Sequence, residues 1–372
     1  MTESKPKERM DFLDIVKGIA CVWMIHRHVW NGLISKDAVI PKYYPDFMQG
    51  LAAPCFLIGA GFVFVILFES AKKKNEIGKR MKRLIYRCGQ VILLGYALQL
   101  PAFSFRKVLF SMTPDQKLFF FQANVLQCIG VSLILLSLFI WALKRINTLA
   151  AGYIAGVVGI LIIWTTPWVC NNIHFPYYIQ SYFSFTQKYT FFPLFPFAGI
   201  LFFGAAAGSF YVQMKARNKL HLAFAIMIAL GILIMLTRPV SFLQLPYQKF
   251  GIANPWANLY KAGQGLLALG VSYLLEKLTG FFKRFVDLLT LMGKEALFVY
   301  AFHLAIVYGC PLNNGLYKSF AGSLSYSSVM LVGLAVLLIS LIFTWLWASF
   351  KKRWLLGVRL LLALGFLYFL VG

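Results

Sequence analysis

Apolar runs of about 20 residues, the length that crosses the hydrocarbon of a bilayer, recur eleven times along the chain. They are centred near Cys21, Gly59, Val91, Leu133, Val158, Phe202, Met227, Leu267, Ala301, Val336 and Ala363. Short polar or basic segments separate them, and no long hydrophilic stretch, internal repeat or low-complexity segment intervenes. A helix satisfies its own backbone in lipid, so the pattern predicts an all-α, polytopic bundle of about eleven transmembrane helices, with ten as the nearest alternative. Residues 1–10 read as a cytoplasmic tail, 11–310 as the membrane core, and 311–372 as two further transmembrane helices of the same domain.

Composition agrees: 60% of the 372 residues are hydrophobic and 13% charged, more apolar surface than a soluble domain can bury. The formal charge of +24 would suit nucleic acid in a soluble protein, but here its distribution reports topology. The runs KKKNEIGKRMKRLIYR (Lys72 to Arg87), KARNK and KKR all fall in inner connections if the N-terminus is cytoplasmic. They read as orientation signals and contacts to membrane lipid head groups, so no nucleic acid is expected. The tail MTESKPKERMD precedes the first span without a short apolar region and small-residue cleavage site, so that span is expected to stay in place. Six scattered cysteines, without a CxxC, read as small core residues, and no metal site is expected. Two longer outer connections, about Pro167 to Thr190 and Arg238 to Ala257, are rich in aromatics, Asn and Pro. That composition suits an interfacial aromatic belt and also stacking on sugar rings.

The first span, KGIACVWMIHRHVW, is the least expected of the eleven, because it carries a lysine, an arginine and two histidines. Charge inside a bilayer is costly and is usually put to use. At 100° per residue, Asp14, His28 and Asn31 all lie within about 60° of Lys17, whereas His26 points to the opposite face. Lys17 and His28 are separated by about 16 Å along the axis, the lysine towards the cytoplasm. A lysine there can meet an anionic cytosolic ligand, and an imidazole deeper in can exchange a proton near neutral pH. The plain structural alternative is an Asp14–Lys17 pair and a His28 bonded to a neighbouring helix. Gln90, Gln99, Asn124, Gln127, Gln264, Lys294, Glu295, Tyr300 and His303 are further polar groups in spans, and Asn and Gln commonly serve there to join helices.

The opening MDFLDIVKGIACVWMIHRH resembles the first span of the transmembrane acyltransferase superfamily, related to acyltransferase type 3. In that span an L-D-x-x-R-G-x-A sequence is followed, after ten residues, by a histidine. Lys17 and His28 have the same ten residues between them. The segments APCFLIGAGFVFV, YRCGQVILLG, FQANVLQCIGVSLIL, FFPLFPFAGILFFGAAAG and GKEALFVYAFH are similar, in order, to the branch containing the heparan-α-glucosaminide N-acetyltransferase catalytic domain and its bacterial relatives. The similarity runs from about residue 9 to 305.

The resemblance implies transfer of an acyl group, most often acetyl, from cytosolic acetyl-CoA to a hydroxyl or amine of a sugar or glycan on the other side. It implies His28 as general base or acyl-accepting nucleophile, with Asp14 positioning Lys17 or its ligand, and with Asn124, Gln127 and His303 as candidates to polarise the thioester carbonyl or orient His28. Lys17, Arg83, Arg87, Asn124 and Gln127 are then the donor-binding candidates, and Asn31, Asp46, Asn254, Trp256 and Glu295 the acceptor-binding ones. With no large luminal domain ahead of the first span, the implied version is bacterial, in the cytoplasmic membrane, acting on envelope glycans. Homo-oligomerisation is left open.

Two departures bear on the site. Lysine stands at position 17 where the family keeps arginine, retaining charge but losing the bidentate fork. Glu295 and Ala296 stand where the family usually has Asn and Ser. The rival function is a carrier or flippase for a lipid-linked sugar or small anion, using the buried Lys, Asp and His as a relay. The lack of matched Gly or Pro breaks in two halves argues against an inverted-repeat version of it.

Overall fold

The computed structural model describes residues 10–40, 50–100, 104–185, 190–237, 253–310 and 313–371. Its principal helices are α1 (Asp11–Leu33), α2 (Ala52–Lys73), α3 (Ile77–Ala97), α4 (Val125–Ala142), α5 (Thr148–Asn172) and α6 (Leu194–Ala216). These are followed by α7 (Leu220–Met235), α8 (Pro255–Glu276), α9 (Gly280–Lys294), α10 (Ala296–Tyr308), α11 (Tyr326–Arg353) and α12 (Leu355–Val371).

Each of the eleven sequence centres falls inside one of these helices. The one not anticipated is α9, whose sequence GFFKRFVDLLTLMGK carries Lys283, Arg284 and Asp287 and leaves Phe281, Phe282 and Phe285 exposed. Five helices, α2, α4, α5, α6 and α11, are long and apolar enough to cross a membrane. The protein is a multi-pass membrane protein.

Glycine sets how closely the helices approach. In α6 the stretch GAAAG places Gly204 and Gly208 one turn apart, the small-xxx-small spacing that lets two backbones touch. A Cβ on Gly204 would lie 2.4 Å from the Ile58 carbonyl oxygen, and one on Gly208 2.5 Å from that of Phe62, both on α2. On the other side of α6, Gly199 meets Gly159 of α5 at the same closeness. Without a hydrophobic drive between helices in lipid, such contact is the main source of cohesion.

The first helix is the hub, packing against α2, α8, α9, α10 and α11. Its first turns enter an aromatic cluster in which Phe12 meets Phe62, Tyr211, Phe224 and Tyr273, and Phe224 stacks on Tyr273 at 3.9 Å between centroids. Its later turns enter a second apolar cluster with Tyr300, Val307 and Val329. Between the two, α9 crosses α1 at backbone contact: a Cβ on Gly293 would sit 1.7 Å from the Asp14 carbonyl oxygen. The Cys21 thiol also faces the Met292 carbonyl at 3.9 Å.

Gly208→Leu is expected to lower the thermal unfolding midpoint in detergent or abolish the folded fraction, because the side chain must push α6 off α2. Gly89→Leu is the control, since a Cβ there meets nothing within 4 Å. Equal midpoints for the two variants contradict the glycine seam.

Candidate active site

Two polar stations lie along α1. Near its N-terminal end, a cavity of about 480 Å³ opens between α1, α2, α3 and α4, with Asp14, Lys17, Arg80, Arg83 and Arg87 on its lining and apolar walls formed by residues such as Phe56 and Leu133. Lys17 is held by Asp14 at 2.6 Å. The three arginines recur at i, i+3 and i+7 of α3, so they stack on one helix face, where like charges repel. One carboxylate therefore stands among four cations, a field that favours an anion with several negative oxygens.

The fork missing at Lys17 is thus supplied three times from α3. Of the candidates implied by the family resemblance, this cavity assembles Asp14, Lys17, Arg83 and Arg87 and adds Arg80. The signal for Arg80 was its place three residues before Arg83 in the basic run. The cavity continues away from the cations to Val91, Ile129 and Gly130.

Towards the C-terminal end of α1, His28 faces α10. Its ring centroid is 5.2 Å from that of the fully buried His303. Its Nδ1 lies 3.3 Å from the Tyr308 hydroxyl, which also donates to the His28 carbonyl oxygen at 3.3 Å. A phenol has one proton. If that proton goes to the carbonyl, the Tyr308 oxygen is left to accept from His28 Nδ1–H, and Nε2 keeps its lone pair. His303 follows the same rule more directly: Nδ1 donates to the Val299 carbonyl at 2.7 Å, and Nε2 has no hydrogen-bond partner among the described residues. Two imidazoles thus stand side by side with basic nitrogens uncommitted. Tyr308 is the member that sequence reasoning missed, because only the turn of α10 reveals that it faces His28.

The wheel assignment of His26 holds: it packs on α11, with Nε2 3.3 Å from Met330 Sδ, and stacks on Trp30. The single stripe, however, is divided in space. Lys17 looks into the cavity, His28 looks at α10, and Asn31 is exposed.

Other candidates lie elsewhere. Asn124 is the N-cap of α4, accepting from Val125 N–H at 2.8 Å. Gln127 donates to Gln99, which in turn donates to the Phe119 and Gln122 carbonyls. Gln127 thus ties α4 to the turn that follows α3, whereas Asn124 only starts its own helix, and neither lines the cavity. Asn254 caps α8 through Trp256 N–H, and the Trp256 ring meets Trp164 edge-on at 5.0 Å. Glu295, at the corner between α9 and α10, is clasped by Lys351 of α11 at 2.6 Å, well removed from His28 along α10. Asp46 lies outside the described residues. Among those residues no group of three or more His, Cys, Asp or Glu is arranged to hold a metal ion.

Comparison with known proteins bears on what these stations are for. Residues 9–240 match the family model described as heparan-alpha-glucosaminide N-acetyltransferase, catalytic. The chain belongs to this family. The match covers α1, the cavity cations and His28, whereas His303 and Tyr308 lie beyond it. No curated protein matches the chain. Family membership makes the chain a membrane acetyltransferase in its general activity.

Replacing Tyr308 with Phe is expected to slow transfer by roughly tenfold, the worth of about one hydrogen bond, with the thermal midpoint retained. An unchanged rate removes Tyr308 from the site.

Proposed function

We propose that the protein moves an acetyl group from cytosolic acetyl-CoA to a hydroxyl or amine of a sugar on the extracytoplasmic side. The observation that carries this reading is the pairing, along one helix, of a four-cation cavity at the inner end with uncommitted imidazole nitrogens at the outer end. The donor carries phosphates that suit Lys17, Arg80, Arg83 and Arg87, and a thin arm that suits the apolar continuation of the cavity between α3 and α4.

His28 Nε2 is the reacting nitrogen. As general base it takes the proton of the acceptor hydroxyl or amine while that heteroatom attacks the thioester carbonyl; the tetrahedral intermediate expels the CoA thiolate, which receives the proton from the imidazolium. As nucleophile it forms acetyl-histidine, releases CoA, and passes the acetyl group to the acceptor. In both routes Tyr308 holds the tautomer, and His303 stands beside His28 to share the proton or orient the carbonyl. Labelled acetyl retained on the protein without acceptor identifies the second route.

A carrier is less well supported, because an apolar-walled cavity that continues between α3 and α4 suits a tethered arm better than a passing substrate. The decisive measurement is thermal unfolding with increasing acetyl-CoA, which stabilises by mass action if it binds, followed by detection of free CoA thiol with sugars present. His28→Ala is expected to lose transfer by on the order of 10²-fold or more while keeping the acetyl-CoA shift, and His26→Ala to stay active. Arg83→Gln with Arg87→Gln should raise the KM for acetyl-CoA with little change in kcat. No shift at millimolar acetyl-CoA, or an active His28→Ala, refutes the assignment.

A further inference from the structure

A third charged station stands apart from both of these. The first turns of α8 carry Asn254, Asn258, Lys261 and Gln264 at spacings of four, three and three, which puts them on one helix face. Asn254, Asn258 and Gln264 are buried, and Lys261 is partly so. The face turns towards the residue just ahead of α2: a Cβ on Gly50 would come within 2.9 Å of Gln264 Oε1 and 3.4 Å of Lys261 Cγ. This is the end of the bundle where α1 finishes, the same end as His28.

The Lys261 ammonium has little to balance it. Its Nζ donates to Asn258 Oδ1 at 3.2 Å and stands 5.4 Å from the centroid of the Phe197 ring. No ion pair among the described residues includes it. Asn258 is oriented for this contact, since its Nδ2 donates to the Asn254 carbonyl at 2.9 Å, leaving Oδ1 for the lysine. An amide dipole and an aromatic face each recover part of the cost of taking an ammonium out of water, and neither supplies a negative charge. A partly buried ammonium held on those terms can still take an anion.

We infer that Lys261 is the cationic anchor for a carboxylate or phosphate carried by the acceptor sugar, with Asn258 aligning the ammonium. The inference rests on the reading of a sugar as acceptor, and it narrows that acceptor to anionic sugars. The anchor was hidden in the sequence because Lys261 sits near the end of an outer connection, where a lysine reads as solvated.

Thermal unfolding of the purified protein in detergent tests it, with glucose, glucuronate, glucose 6-phosphate, inorganic phosphate and, separately, acetyl-CoA as probes. Glucuronate or glucose 6-phosphate is expected to raise the midpoint beyond glucose, identifying which anion the site takes. Lys261→Met should weaken that binding by roughly tenfold or more, and Lys261→Arg should retain it. The acetyl-CoA shift should be equal in wild type and both variants, which checks that they are folded and reports the donor station alone. The proposal is overturned if neither anionic sugar exceeds glucose, if Lys261→Met keeps the difference, or if inorganic phosphate alone reproduces the full shift. A missing acetyl-CoA shift in wild type counts against the acetyl-CoA reading instead, so the two failures are distinguishable.

Discussion

The contact between Asp14 and Lys17 is the constraint from which the arrangement of the bundle follows. A lysine that must face the interior of a membrane protein needs a carboxylate close by, and the i, i+3 spacing supplies one at 2.6 Å. The pair can be interior only if other helices surround α1, and five of them do. The closest is α9, which needs Gly293 to lie against the Asp14 backbone and Gly18 to lie against Leu289. Glycine at the crossing and charge in the groove are thus one design: the helix is gripped from behind by backbone contact so that its polar side can remain open.

That division explains why one helix presents two chemistries. The N-terminal half of α1 borders the cavity between α2, α3 and α4, which the cations of α3 line. The C-terminal half is met by α10, which brings His303 and Tyr308 against His28. Paired imidazoles with their Nδ1 atoms engaged fit the packed location, and a charge cluster fits the open cavity. The separation matches a donor whose charge and reactive group sit at opposite ends of a flexible arm.

The elements of the fold were legible because a bilayer leaves few options: every centre located by apolar run length became a helix. The helix that escaped notice, α9, is amphipathic, so a search for continuous apolar runs passes over it, and the pair Gly293–Lys294 hides the corner where it ends. Residues on α1 could be sorted by angle alone, which is why His26 and His28 separated correctly. Gln127 and Glu295 could not, because their partners, Gln99 and Lys351, lie in a turn and on another helix, and Asn124 could not because it caps its own helix instead of lying within a span. Tyr308 and Lys261 were missed for the converse reason: tyrosines and lysines near helix ends are ordinary in sequence, and only the facing element gives them meaning.

The lysine at position 17 changes sense once its neighbours are known. Taken alone, Lys for Arg exchanges a planar bidentate donor for a point charge and weakens phosphate recognition. In the cavity, Arg80, Arg83 and Arg87 already present guanidiniums from α3, so the shorter task left to position 17 is to place one positive charge beside Asp14. A fourth donor fork there would compete with the arginines for the same oxygens and would draw Asp14 into a bidentate clasp. Lysine, with one mobile ammonium, can hold Asp14 and still turn towards an arriving anion. On the proposed reading, the donor's phosphates are therefore gripped chiefly from α3, while the transfer station stays on α1.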